Sequence, residues 1–319
     1  MAKYDVTAIG EVMLRMSVAQ GQKLELARNL DITPGGAEAN TLSALSCLGR
    51  SCSLCTALPA TPVGKIVENN LLLSKVNTSN LIWKNSGRLG TFYIEFASAP
   101  RATQVYYDRA NSCAAEMTEE DINWKEVLDT QAIHLTGITP ALSPSCLKLT
   151  KVAIQKAKES NVKISFDVNF REKLWSAEQA KHSLLEIIKD IDLFFCAQGD
   201  AERIFGITGS GQDICTALSK ISSAKHIVVS MSDQGVIALS NGSFLNCAAK
   251  DVHIVDRIGA GDALAAGVIH GWLEDNLQKG LEFGTTLAAI ALSQNGDTVH
   301  TDIREVEEII KGSSLKLRR

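Results

Sequence analysis

The sequence lacks the features that would direct the protein to a membrane or to nucleic acid. No apolar run reaches the length of about 18 residues that a transmembrane helix needs. The N-terminal residues enter a strand-like segment directly, without the architecture of a signal peptide. The net charge is −4, so no basic excess favours nucleic acid, and an anionic substrate needs locally placed cations. We therefore expect a cytoplasmic protein that binds neither membrane nor nucleic acid.

The cysteines do not form a recognisable metal or redox pattern. There are eight, and Cys52 and Cys55 make a C-x-x-C pair that has no second pair and no flanking histidines. This spacing disfavours a zinc site and a thioredoxin-like redox centre. We expect most of the cysteines to be small, buried, apolar residues in a reducing compartment.

Two common nucleotide-binding motifs are also absent. The glycines at 206, 209 and 211 lack the spacing of G-x-G-x-x-G and follow a helical pattern rather than a strand. No G-x-x-x-x-G-K-[ST] segment occurs, and no segment repeats at a fixed period. A dinucleotide-binding dehydrogenase and a P-loop enzyme are therefore disfavoured.

The sequence does contain a regular alternation of strand and helix patterns. From about residue 113 to 310, buried strand-like segments such as 131–136 and 162–168 alternate with helical runs. This alternation predicts a doubly wound, mostly parallel sheet. Short strand-like segments at 80–84, 90–97 and 104–107 are typical of a small separate sheet. The length suffices for one large α/β domain or two small ones, and we expect a single domain over residues 1–319.

The most informative stretch is Asp256-Arg-Ile-Gly-Ala-Gly-Asp262, which joins an apolar approach to a helical run. A small-residue turn at a helix start exposes the backbone N–H groups of Gly259, Ala260 and Gly261 to an anion. Asp262 faces the same space, where it suits the removal of a proton from a hydroxyl that attacks a phosphoryl group. Taken alone, the stretch would equally suit a tight turn followed by a capping acid.

Two further segments combine backbone access with polar side chains. Gly35 and Gly36 precede a helix that carries Asn40 one turn in, so a ligand has close access to the backbone there. Asn169 and Arg171 follow the buried strand 162–168, at the sheet edge where open parallel sheets bind ligands. Alone, these segments would also suit a glycine-rich loop and an Asp-Asn turn with a surface arginine.

A third group lies among the predicted strands of the small sheet. Tyr93, Tyr106 and Arg109 combine hydroxyl groups with a planar cation that matches a carboxylate. A purely structural role in an edge strand would give the same pattern, because aromatic pairs stabilise small sheets and an arginine protects an exposed strand edge.

The string D-x-x-G-A-G-D-A-x-x-A-G resembles the signature of the ribokinase-like (PfkB-type) carbohydrate kinases, although that family usually has Thr where this chain has Arg257. The resemblance extends over nearly the whole chain and implies a three-layer α/β/α fold. It implies a β-sheet lid built from strands near 11–33 and 88–112. It further implies that G-G-A-x-x-N contacts the sugar, that the G-A-G turn is the anion hole and that Asp262 is the base.

Within the family, three stretches look most like the kinases of 2-keto-3-deoxygluconate: 10–15, 106–111 together with 137–143, and 165–175. A sugar acid carries a carboxylate, and Arg109 and Arg171 would form a receptor for it. The implied reaction moves the γ-phosphate of ATP to the terminal hydroxyl of the sugar. A fructokinase, a ribokinase and a non-catalytic sugar-binding regulator are the alternatives.

The resemblance also implies the cofactors and the nucleotide site. The nucleotide-binding residues expected from it are Asn169, Ser230, Ser232, Gly235, Thr285 and Asn295. The family's N-x-x-E magnesium site is degenerate, with Ala197 for the Asn and Asp200 at the acidic position, so Asp200 is expected to act on Mg²⁺ through water. A monovalent cation such as K⁺ and a homodimer formed through the lid strands are further expectations.

Overall fold

Short apolar and β-branched segments form the strands, as their composition favours. The computed structural model describes residues 2–312. The strands, in chain order, are β1 (Tyr4–Ile9), β2 (Met13–Ser17), β3 (Asp31–Gly35), β4 (Cys52–Pro59), β5 (Leu81–Lys84), β6 (Thr91–Glu95), β7 (Gln104–Asp108), β8 (Thr130–Thr136), β9 (Lys163–Asp167), β10 (Leu193–Ala197), β11 (His226–Ser230), β12 (Val236–Ser240) and β13 (Ser243–Cys247).

These strands make two sheets. Within residues 2–312, the main sheet has nine strands in the order β13-β12-β11-β10-β9-β8-β1-β4-β5, and all its pairings are parallel except those of β12. The second, four-stranded sheet has the order β3-β2-β6-β7 and is called the lid sheet below. The sequence-based prediction of a large, mostly parallel sheet and a small separate one is confirmed.

The helices connect the parallel strands and cover both faces of the main sheet. Several begin at a residue whose side chain caps the helix: Ser143, for example, accepts a hydrogen bond from Cys146 N and is followed by proline. They are α1 (Ala37–Cys47), α2 (Pro62–Leu73), α3 (Trp124–Val127), α4 (Thr139–Leu142), α5 (Pro144–Glu159), α6 (Ala177–Ile187), α7 (Gln198–Asp200), α8 (Gly211–Leu218), α9 (Ala260–Leu273), α10 (Leu277–Leu292) and α11 (Ile303–Ile310). Across residues 2–312, no helix is long and apolar enough to span a bilayer.

Each central strand contributes side chains to two cores because successive residues point to opposite faces. On β10, Leu193 and Phe195 pack on the face covered by α1, α9 and α10, whereas Phe194 and Cys196 pack on the face covered by α5, α6 and α8. Burial on both faces explains why these strands are continuously apolar in sequence.

Three details differ from the sequence-based expectation. Residues 81–84 add to the edge of the main sheet beside β4 rather than to the small sheet. The β12–β13 hairpin was not anticipated, since its strands are short and mixed in polarity. The sequence predicts a helix over 281–295, whereas α10 ends at Leu292 and begins at Leu277, because Asn276 caps its start by accepting from Lys279 N.

Candidate active site

The carboxyl ends of the central strands, the start of α9 and the lid sheet meet around one space of about 380 Å³, here called the inner cavity. This volume suits a small, polar ligand. The predicted residues that line it are Gly35, Gly36, Asn40, Arg109, Asn169, Arg171, Asp200, Ser230, Gly259, Gly261 and Asp262. Thus most of the predicted site residues, although far apart in sequence, share one cavity.

Asp262 lies at the base of the inner cavity and is held by two amides. Asn40 Nδ2 donates to its Oδ2 at 2.7 Å, and Asn169 Nδ2 donates to its Oδ1 at 3.3 Å. Burial raises the pKa of Asp262 to about 6, while the bonds from Asn40 and Asn169 and the charge of Arg171 oppose that rise. The carboxylate is therefore ionised at neutral pH yet basic enough to accept a proton.

The start of α9 presents uncapped backbone donors beside this carboxylate. Gly259 is the N-cap residue, and no side chain caps the helix. Its φ of 85° and its contact with the main chain at Asp297, which a Cβ would meet at 2.3 Å, both require glycine. A Cβ at Gly261 would instead meet open space. The turn therefore has the geometry of an anion site that opens to the inner cavity.

The lining of the inner cavity also includes two arginines, Arg109 and Arg171, in different states. Arg109 is paired with Glu11, to which its Nε donates at 2.7 Å, and both side chains are buried. Arg171 donates to the carbonyl of Phe170 at 3.0 Å, and among the described residues it forms no ion pair. Of these two arginines, Arg171 is thus the one whose guanidinium is available to a ligand anion.

The lid sheet presents a different tyrosine to the inner cavity from the ones expected. Phe92 and Tyr107 pair across β6 and β7 and line the cavity. Tyr93 and Tyr106 pair in the next register position, so the period of two directs them to the outer face of the lid sheet, where Tyr106 is 50% exposed. The placement of Tyr93 and Tyr106 therefore departs from the expected sugar contact.

A second space, here called the outer groove, runs from the start of α9 along β11, β12 and α10. Ser230, Ser232, Gly235 and Thr285 line it, together with Ala260 and Gly261. Of the other residues expected at the nucleotide, Asn169 lies in the inner cavity against Asp262, and Asn295 is exposed and lines neither space, because α10 ends before it. Gly261 lines both spaces, so the anion site connects them.

Two further carboxyl groups lie near Asp262. Burial, together with the charges of Asp262 and Asp200, raises the pKa of Asp167 to about 8, and burial also raises the pKa of Asp200. Oxygen donors at a crowded acidic wall suit Mg²⁺. In the described part of the chain, no three side chains converge as a metal ligand set. Asp167 and Asp200, which both line the inner cavity, are the carboxyl groups that fit a phosphate-bound magnesium ion there.

Several cavity residues were not assigned a role from sequence. Glu11 and Asp297 are buried acids whose partners, Arg109 and Arg15, are remote in sequence. Tyr107 lines the inner cavity, although no pattern in the sequence favours it over Tyr93 and Tyr106. Arg257 had been noted only as a departure from a familiar pattern, and it lines both spaces. The alternation of residues at 105–108 indicates a strand with two faces, but it does not predict which face of that strand lines the inner cavity.

An ionisable acid beside uncapped amides, set between a sugar-sized cavity and a groove, defines a phosphotransferase that acts on a small hydroxylated molecule. The family model described as pfkB family carbohydrate kinase matches residues 3–304, and the chain belongs to that family. It is accordingly an ATP-dependent carbohydrate kinase.

Individual relatives agree with this family. The chain is 29% identical over 316 residues to the 2-dehydro-3-deoxygalactonokinase of Haloferax volcanii, covering 99% of each chain. It superposes with a TM-score of 0.92 on the 2-dehydro-3-deoxygluconokinase of Thermotoga maritima, at 28% identity and with 97% and 98% of the chains covered. A protein assigned as ribokinase II from E. coli, solved with ATP and Mg²⁺, shares the fold at 18% identity, with a TM-score of 0.88 and 97% and 99% coverage.

Replacing Asn40 by alanine should move the acid limb of the kcat/KM profile to higher pH. Asn40 stabilises the ionised form of Asp262, so its loss raises the pKa of that carboxyl above its value of about 6. We expect a displacement of about one pH unit. Asn169→Ala is the matched control, since its longer bond of 3.3 Å predicts a smaller displacement. An acid limb unmoved in Asn40→Ala would contradict the assignment of that limb to Asp262.

Proposed function

We propose that this kinase transfers the γ-phosphoryl group of ATP to the terminal hydroxyl of 2-keto-3-deoxygluconate. The observation that carries the sugar-acid assignment is the guanidinium of Arg171, which faces the inner cavity without an ionic partner among the described residues. In this proposal Arg171 binds the carboxylate at one end of the six-carbon substrate, and the other end, which carries the terminal hydroxyl, is directed toward Asp262. The names of the relatives in Haloferax volcanii and Thermotoga maritima support the same substrate class.

The proposed reaction assigns a role to each side of the site. Asp262 accepts the proton of the terminal hydroxyl while the oxygen attacks the γ-phosphorus, and the amides of Gly259, Ala260 and Gly261 stabilise the developing charge. The outer groove holds the nucleotide. Asp167 and Asp200 would face a phosphate-bound Mg²⁺, which neutralises phosphate charge when bound. The lid sheet excludes water from the inner cavity.

The direct test is the release of ADP from ATP and Mg²⁺ in the presence of candidate acceptors. These are 2-keto-3-deoxygluconate, its galacto epimer, gluconate, fructose and ribose. We expect turnover on the keto-deoxy acids and none of comparable efficiency on the neutral sugars. Efficient turnover of fructose or ribose would agree with the kinase activity but would contradict the proposal that the substrate is a sugar acid. Binding without turnover on any acceptor would favour a sugar-binding regulator.

The Arg171→Met substitution should distinguish acidic from neutral acceptors. A hydrogen bond to a charged group contributes about 1.5–3 kcal/mol, so KM for the keto acid should rise roughly 10- to 100-fold. The assay belongs at about pH 8, because Arg171 also lowers the pKa of Asp262 and its loss would confound measurements nearer neutrality.

Arg203→Met is the matched control for this substitution. Arg203 is an exposed cation near the same loop but does not line the inner cavity. Its replacement should leave KM for the acid unchanged. Equal effects of Arg171→Met on acidic and neutral acceptors would show that Arg171 does not bind the carboxylate.

Three expectations stay predictions within this proposal: a dimer through the lid sheet, a monovalent cation requirement and a cytoplasmic location. The outer face of the lid sheet, with Ile32 at 50% and Tyr106 at 50% exposure, supports the first of them. The dependence of sedimentation on protein concentration and of activity on K⁺ would test the first two.

A further inference from the structure

Arg257 occupies an unusual position between the two ligand spaces. Its side chain lines both the inner cavity and the outer groove, and it is exposed. Among residues 2–312 it forms no hydrogen bond, ion pair or ring contact. Its main chain, in contrast, is held at both sides, because Asp256 is buried against Arg15 and Asp256 Oδ1 accepts from Ile258 N at 3.1 Å. A fixed backbone thus presents an unpaired cation at the junction.

The other arginines near the junction are not free to act there. Arg15 is buried between Asp256 and Asp297, and Arg109 is paired with Glu11. Arg171 lines the inner cavity but not the outer groove, and the proposed function assigns it to the sugar carboxylate. The amides at the start of α9 contribute only partial charges. A phosphoryl group that passes from the outer groove to the inner cavity therefore meets one uncommitted cation among the described residues, Arg257.

We propose that Arg257 is a further catalytic residue, which binds the phosphoryl group while it is transferred from the outer groove to the inner cavity. In this step the bond from the acceptor oxygen to the γ-phosphorus forms, and the bond from the γ-phosphorus to the β,γ-bridging oxygen breaks. The electron pair of the broken bond goes to the ADP oxygen, and the hydroxyl proton goes to Asp262. Arg257 donates to the equatorial oxygens, opposite the amides of Gly259 and Gly261. This role rests on the proposed phosphoryl transfer but not on the identity of the sugar.

Lys250 provides a matched control within the same groove. Its side chain lines the outer groove but not the inner cavity, and in the described structure it too has no ionic partner. A cation that only binds the nucleotide should affect KM for ATP. A cation that binds the transferring group should affect kcat with both substrates saturating.

The experiment compares Arg257→Met, Arg257→Lys and Lys250→Met, using whichever acceptor the wild type phosphorylates best. We expect Arg257→Met to lower kcat about 10²- to 10³-fold with little change in either KM. Arg257→Lys should recover part of the loss, since a single charge without the planar fork remains. Lys250→Met should raise KM for ATP and leave kcat near the wild-type value.

A binding measurement separates this inference from the choice of sugar. MgADP with aluminium fluoride and the acceptor imitates the transferring phosphoryl group. Its extra rise in Tm over MgADP with the acceptor but without aluminium fluoride should be lost in Arg257→Met and kept in Lys250→Met. An unchanged kcat with a raised KM for ATP would make Arg257 a nucleotide ligand only. A raised KM confined to acidic acceptors would make it a carboxylate ligand. Either result, or an intact aluminium fluoride response, would overturn the proposal.

Discussion

Replacing Asp262 by asparagine should lower kcat by about 10³-fold or more while leaving the affinities for sugar and nucleotide nearly unchanged, since a positioned base contributes roughly 10²- to 10⁴-fold and no other group takes its place. Asparagine has the same shape, and its amide oxygen still accepts from Asn40. The loss would therefore report the missing proton acceptor rather than a collapsed cavity. Steady-state kinetics with calorimetric titration of each ligand measure both quantities.

The pH profile makes this prediction sharper. The wild-type kcat/KM should fall below pH about 6, because protonation of Asp262, whose pKa burial raises to that value, removes the base. The residual activity of Asp262→Asn should lack this limb. Asp108→Asn, on the exposed edge of the lid sheet, is the control and should retain both activity and limb. A kcat within about tenfold of the wild type in Asp262→Asn would reject Asp262 as the base.

A site residue can be predicted from the sequence when the pattern that indicates it lies within a few neighbouring residues. The turn at 259–261, the loop at 35–36 and the strand end at 167–171 each place backbone and polar groups within a few residues. Parallel topology then brings their ends to one sheet edge. The structure collects these segments around the inner cavity as that reasoning predicts.

The remainder depends on contacts that no local pattern specifies. Both faces of β6 and β7 carry aromatic residues, so only the pairing of β2 with β6 decides that Tyr107, and not Tyr93 or Tyr106, faces the cavity. Likewise, Glu11 meets Arg109 across 98 residues. The ion pair explains why Arg109 is not available to a ligand whereas Arg171 is, although the sequence alone gives both arginines the same predicted role.

The largest stability effect should come from Arg15, which is fully buried although it carries a charge. Its Nη1 donates to Asp297 Oδ1 at 2.5 Å and its Nη2 to Asp256 Oδ2 at 2.6 Å. Through these bonds β2 of the lid sheet is joined to both chain segments that support Gly259. Arg15→Met leaves two buried carboxylates without a counter-charge, so we expect the free energy of unfolding to fall by about 3–5 kcal/mol.

Urea denaturation at about pH 8 measures this loss, with Arg88→Met as the control. Arg88 pairs with Asp108 at the surface, and its replacement should cost about 1 kcal/mol or less. Similar losses in the two variants would show that the buried charges of Asp256 and Asp297 do not depend on Arg15.

The pH dependence of the loss identifies its cause. Burial raises the pKa of Asp297 to about 6 even though Arg15 opposes the rise, so without Arg15 that pKa must be higher still. Between the unfolded value, about 3.9, and the raised native value, the native state binds a proton that the unfolded state lacks, and stability increases as pH falls. The Arg15→Met deficit should therefore be smaller at about pH 5 than at about pH 8. A deficit independent of pH would instead indicate lost packing of the guanidinium.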